Sequence, residues 1–81
     1  MQAAELAQAI KAVLMVGDTI GFEPDAAVNP AHRYRIIGTT GNIIKFFDDG
    51  GQFHLLSFAQ LAEFAQEGRL LLNGKPYTPR G

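Results

Sequence analysis

The run Arg33-Tyr34-Arg35-Ile36-Ile37-Gly38-Thr39-Thr40-Gly41-Asn42-Ile43-Ile44-Lys45-Phe46-Phe47-Asp48-Asp49-Gly50-Gly51-Gln52-Phe53-His54-Leu55-Leu56 holds three β-forming segments and two turns. Residues 33 to 37 alternate charged with aromatic or aliphatic groups, the period of a strand with one wet side. Thr39-Thr40-Gly41-Asn42 supplies a turn, residues 43 to 47 a second strand, Asp48-Asp49-Gly50-Gly51 a second turn, and residues 52 to 56 a third strand. Three such segments in close order predict an antiparallel meander.

Upstream, Ala3, Leu6, Ala7, Ile10, Val13 and Leu14 recur at helical spacing, which predicts an amphipathic helix over 3–16 with Gly17 as its terminator. Residues 19 to 23 alternate as a short strand closed by Pro24. Residues 24 to 31 read as a loop with one helical turn over 25–28, because Asn29 and Pro30 oppose regular structure. Downstream, Ser57 and Gln60 have capping-box spacing, and Phe58, Leu61, Ala62, Phe64 and Ala65 form the stripe of a second helix that stops at Gly68. Leu70-Leu71-Leu72, Asn73-Gly74 and Lys75-Pro76-Tyr77 predict a hairpin whose proline strand lies at an edge, and residues 79 to 81 read as a frayed end. The expected fold is α+β: a small, strongly bent antiparallel sheet of five to six short strands, an SH3-like barrel or roll. It has an N-terminal helix and a second helix before a C-terminal hairpin.

At 81 residues the chain supports one domain, 1–81, because two independent cores would need more apolar volume. Seven Lys and Arg against eight Asp and Glu leave a net charge of −1, which excludes binding by bulk positive charge. The absence of cysteine excludes disulfides, thiolate metal sites and a cysteine nucleophile, and fits a cytoplasmic address. No apolar run is long enough to cross a bilayer, so no membrane partner is expected.

Catalytic signals are sparse, and no catalytic residue is assigned. Ser57 sits where a helix needs its N-cap, without a nucleophile-elbow motif around it. Asp48, Asp49 and His54 are the one cluster an enzyme could use, yet Asp-Asp-Gly-Gly between two strands is what a tight turn requires. Two histidines 22 residues apart without a third ligand give no metal site. Gly38-Thr39-Thr40-Gly41-Asn42 lacks the lysine and the helix of a phosphate-binding loop. No cofactor is implied, and no small-molecule substrate is evident.

Two surface readings remain. With Tyr34, Ile36, Ile44 and Phe46 turned inward, Arg33, Arg35 and Lys45 share the opposite face, and His54 would extend it into a nucleic-acid-binding surface. Residues 31 to 81 also hold six bases against four acids, whereas residues 1 to 30 hold one base and four acids. The other signal is surplus apolar surface. Ile37, Ile43, Phe47, Leu56, Leu71 and residues 13 to 16 fall on the second side of otherwise amphipathic elements. Either the two helices cover opposite sheet faces, or a protein partner or second copy covers what remains. For the latter, Ile10, Val13, Leu14 and Phe47 are the candidate interface residues.

Residues 16 to 72 contain Val-Gly-Asp-Thr-Ile, Tyr-Arg-Ile-Ile, Asn-Ile-Ile-Lys-Phe, Leu-Ser-Phe-Ala-Gln-Leu and Gly-Arg-Leu-Leu-Leu in that order. This layout resembles small β-barrel modules attached to DDE-type transposases and other mobile-element or phage proteins. The resemblance implies an accessory barrel that touches nucleic acid or a protein partner, and since no catalytic carboxylate triad is present, it carries over no catalytic role. The expectation is a non-catalytic binding or accessory module working through protein contacts, dimeric or beside a larger protein, with nucleic-acid binding as the alternative.

Overall fold

A computed structural model describes residues 2–77. Helix α1 spans Ala3–Val13, followed by strand β1 Thr19–Gly21, a short 3-10 turn at Pro30–His32, and strands β2 Tyr34–Thr40, β3 Ile43–Phe47 and β4 Phe53–Ser57. Helix α2 Phe58–Gln66 and the hairpin strands β5 Leu71–Leu72 and β6 Lys75–Pro76 complete the order. All pairings are antiparallel, in the order β4-β3-β2-β1-β5-β6. The α+β class, the meander and the proline at an edge strand agree with the sequence.

The sheet is not closed into a barrel: β4 and β6 stay at opposite ends. Closure would need β4 to pair with the last strand, but β6 is two residues long and contains Pro76, and β4 runs directly into α2. The bend comes from β2, which pairs with β1 through Tyr34 and Arg35 and with β3 from Ile36 onward. A register shift between Ile36 and Gly38 leaves Ile37 as the extra residue of a bulge.

Both helices lie on the same side of this sheet. Leu6, Ile10 and Leu14 meet Phe58, Leu61, Ala62 and Ala65, and together they cover Ile20, Ile36, Ile44, Phe46 and Leu70 in one core. Ser57 makes the full capping box with Gln60: its hydroxyl accepts from the Gln60 N–H, and the Ser57 N–H donates to the Gln60 side chain. The opposite-faces arrangement of the helices is therefore not adopted, and one side of the meander has no cover from either helix.

Two local expectations need correction. Helix α1 ends at Val13 rather than near Gly17, because Leu14 is extended and drops into the core. Gly17, at φ +99°, instead serves the following turn, where the Met15 N–H donates to the Asp18 carboxylate. The 24–31 loop does make its turn after Asp25, but Pro30 then starts the 3-10 turn, with the Asn29 side chain accepting from the Ala31 N–H. The expected fraying of residues 79 to 81 lies outside the described residues.

Candidate functional site

Strand register decides which side chains share a face, because residues directly opposite in a sheet point the same way. Ile36 opposes Phe46, Phe46 opposes His54, and Ile44 opposes Leu56, so these form the inner, helix-covered side. Lys45 opposes Leu55 and Phe47 opposes Phe53 on the outer side, joined by Ile37, Ile43 and Arg35. Five large apolar side chains on this outer side, Ile37, Ile43, Phe47, Phe53 and Leu55, are between 41% and 53% exposed. Phe47 and Phe53 touch edge to face, with ring centroids 5.4 Å apart. The Lys45 stem crosses the space over Gly38, its Cδ lying 3.6 Å from where a Cβ there would sit.

The four cations proposed for nucleic-acid binding do not assemble. Arg35 and Lys45 share the outer face, but Arg33 precedes the strand and its guanidinium donates to the carbonyls of Ala26 and Ala27, at 2.9 and 2.6 Å. His54 faces inward, its ring against Phe46 and its Nε2 2.8 Å from Asp48 Oδ2. By hydrophobicity alone Phe53 and Leu55 would be the buried pair of β4 and His54 the wet residue between them, whereas the turn sets the phase. The Asp48 N–H donates to the Gln52 carbonyl and the Asp48 carboxylate accepts from the Gln52 N–H, which puts the even-numbered residues of β4 inside.

Of the residues proposed for a protein interface, Ile10 and Leu14 are corrected: they are core residues of the single chain, 0% and 7% exposed, because the helix stripe faces α2. Val13 and Phe47 are exposed. Within the Asp48, Asp49 and His54 cluster, Asp48 and His54 pair while Asp49 stays in the solvent-exposed turn. The His54 hydrogen bond, aided by the Gln52 N–H, holds the Asp48 carboxyl below its ordinary value.

A cleft of about 280 Å³ opens on the inner side of the sheet, a feature that strand periodicity did not reveal. Phe22, Tyr34, Phe46 and His54 line it with Glu23, Asp48, Leu56 and, at the β4 edge, Leu55. The rings form a continuous chain: Phe22 to Tyr34 at 5.4 Å, Tyr34 to Phe46 at 4.9 Å, and Phe46 to His54 at 5.4 Å. Partial burial pushes the Tyr34 phenol above its ordinary value, and the negative charges of Glu23, Asp48 and Asp25 push it further. Among the described residues no group of three or more His, Cys, Asp or Glu side chains could hold a metal ion, and no helix is long and apolar enough to cross a membrane.

Comparison with protein-family models, with curated proteins and with solved structures finds no match to this chain.

Proposed function

We propose that the protein is a non-catalytic binding module acting through protein contacts, and that its outer sheet face and the open edge of β4 take a second copy of the chain. The observation that carries this reading is the group of five half-exposed apolar side chains on one face of three neighbouring strands. Beside them β4 ends the sheet without a proline, lysine or carboxylate to blunt its edge. The Asp48-to-Gln52 and Phe58-to-Asn42 backbone bonds fix the ladder phase, so residues 54 and 56 turn their N–H and C=O toward β3. Phe53 and Leu55 therefore turn theirs away from the sheet.

Charge favours edge-to-edge pairing over stacking two outer faces. Stacked faces would trap Arg35 and Lys45 of both copies in one apolar layer, like charges without a partner. Two β4 strands paired about a two-fold axis keep the Lys45 residues three strand spacings apart, about 14 Å, beyond the roughly 8 Å screening length. Pairing of this kind is antiparallel, as a two-fold requires, and joins Phe53 and Leu55 of the two copies into one strip. Nucleic-acid binding is the weaker reading, since two phosphate contacts through Arg35 and Lys45 would give a salt slope of only about −1.4 to −1.8. The bent sheet then serves as an open SH3-like roll in a cytoplasmic accessory protein of mobile-element or phage type, in keeping with the likeness of residues 16 to 72.

Sedimentation velocity from low to several hundred micromolar tests the reading. The wild type shifts to a dimer as concentration rises. Leu55→Pro removes only an outward N–H and Leu55→Glu places a charge in the strip, so both stay monomeric with unchanged circular dichroism. A wild type that is monomeric throughout, or a dimer indifferent to both substitutions, overturns it.

A further inference from the structure

We propose that the inner cleft is a binding site for an organic cation, an ammonium or guanidinium group, held between its aromatic walls and the Glu23 carboxylate, with Asp48, already bonded to His54 and the Gln52 N–H, adding negative charge. Four rings line it, and the charged side chains at its wall are acids, Glu23 and Asp48, without a lysine or arginine among them. The negative face of an aromatic ring attracts a cation, and a nearby carboxylate adds charge to that attraction. The Glu23 carboxylate makes no hydrogen bond or ion pair with any described residue. A carboxylate at a partly sheltered, ring-lined cleft with no hydrogen bond to the protein is the feature a bound cation would satisfy.

The same ring chain already takes a cation at its other end. Phe22 stacks on Phe64 at 4.9 Å with the planes 8° apart, and the Arg69 guanidinium lies over Phe64, 5.1 Å from its centroid. A ligand cation in the cleft would repeat at half-buried Phe22 and Tyr34 what Arg69 does at Phe64, while Phe46, 2% exposed and stacked on Tyr34 and His54, backs the wall. An anion is disfavoured by both carboxylates, and a neutral apolar group would leave Glu23 desolvated without compensation. At about 280 Å³ the space falls just under the usual range for whole drug-sized ligands, about 300–1,000 Å³. It suits one head group or one basic side chain. Leu55 of the outer strip also borders the cleft at the β4 edge, so the titration is run where the chain is monomeric, and Glu23, which lies off β4, separates this inference from self-association.

The test is an NMR titration of the isotope-labelled full chain with three probes: tetramethylammonium, N-acetyl-arginine amide, and N-acetyl-citrulline amide, the neutral counterpart of the second. Saturable shifts are expected at the amides of residues 22, 23, 34, 48 and 54 with at least one cationic probe, with citrulline about tenfold weaker than arginine or weaker still. Preference for tetramethylammonium assigns a free quaternary amine, and preference for arginine amide assigns a basic side chain of a partner. Glu23→Gln breaks no contact within the described fold, so it should keep the native spectrum while weakening the cation severalfold. Saturable binding of citrulline amide as tight as that of arginine amide, no saturation by either cation, or full affinity in Glu23→Gln overturns the proposal.

Discussion

The two faces of the β2-β3-β4 meander are built from the same alternating strands and have opposite fates. The inner face puts Ile36, Ile44 and Phe46 under two helices, nearly free of solvent. The outer face carries residues of similar apolarity, Ile37, Ile43, Phe47, Phe53 and Leu55, in contact with water. Alternation therefore separates two sets of side chains without saying which set is sealed; the helices decide that, and both go to one side. An outer face this apolar is unusual for a lone small domain, and that contrast carries the functional reading.

The contrast is broken most directly by truncating one residue on each face. Ile44→Ala should cost about 2–5 kcal/mol in denaturant unfolding, from lost burial plus a cavity under the helices. Leu55→Ala, measured where the chain is monomeric, should fall within about 0.5 kcal/mol of wild type. Equal costs would mean that the outer face is as well packed as the inner one, and the case for an uncovered surface would fail.

Much of the fold was legible because turn and cap chemistry is local. Asn73 at φ +53° and Gly74 at φ +81° make the turn that the Asn-Gly pair announces, and Ser57 with Gln60 starts α2 where their spacing says. The site was less legible. His54 changed sides because its phase is set by Asp48 bonds across a turn, and Phe53 and Leu55 outweighed it in any reading by hydrophobicity. Ile10 and Leu14 looked surplus because α2 stands more than forty residues away in sequence and closes over them only in space. The aromatic cleft draws Phe22, Tyr34, Phe46 and His54 from three strands and the segment after β1, and no window of the sequence holds them together.

Gly21 tests whether the loop after β1 belongs to the sealed side. A Cβ at this position would stand 2.8 Å from the Cβ of fully buried Ala26, so Gly21→Ala forces strand and loop apart. A loss of about 1–3 kcal/mol is expected; an unchanged unfolding midpoint would show that the loop yields freely and is not part of the core. A smaller effect sharpens the link between the faces at the end of β4, where Ser57 opposes the outer residue Ile43 yet caps the inner helix. Ser57→Ala should cost about 1 kcal/mol, and Ser57→Asp should restore most of it, whereas equal losses in both would place the role of Ser57 in the strand rather than in the cap.

The smallest effect expected lies in the 24–32 loop, which belongs to neither sheet face and is tied down by polar contacts. Asp25 bonds the His32 imidazole and the Asn29 amide, and the next residue, Arg33, holds the carbonyls of Ala26 and Ala27. The Asp25 hydrogen bond raises the His32 pKa above 6.5, with Glu23 adding charge in the same direction, and His32 in turn lowers Asp25 below 3.8. For His32 the stabilisation is complete below 6.5 and fades as pH rises through the raised folded value. For Asp25 it is complete above 3.8 and fades as pH falls through the lowered one. The pair therefore acts at full strength between 3.8 and 6.5 and weakens on the alkaline side first as the protein is brought toward neutral and beyond. In an NMR titration Asp25→Asn should bring the His32 midpoint back toward 6.5 and flatten the fall of stability above it. If the inner core alone held this loop, the variant would leave that slope as it was, and the polar ties would be bystanders to packing around Ala26.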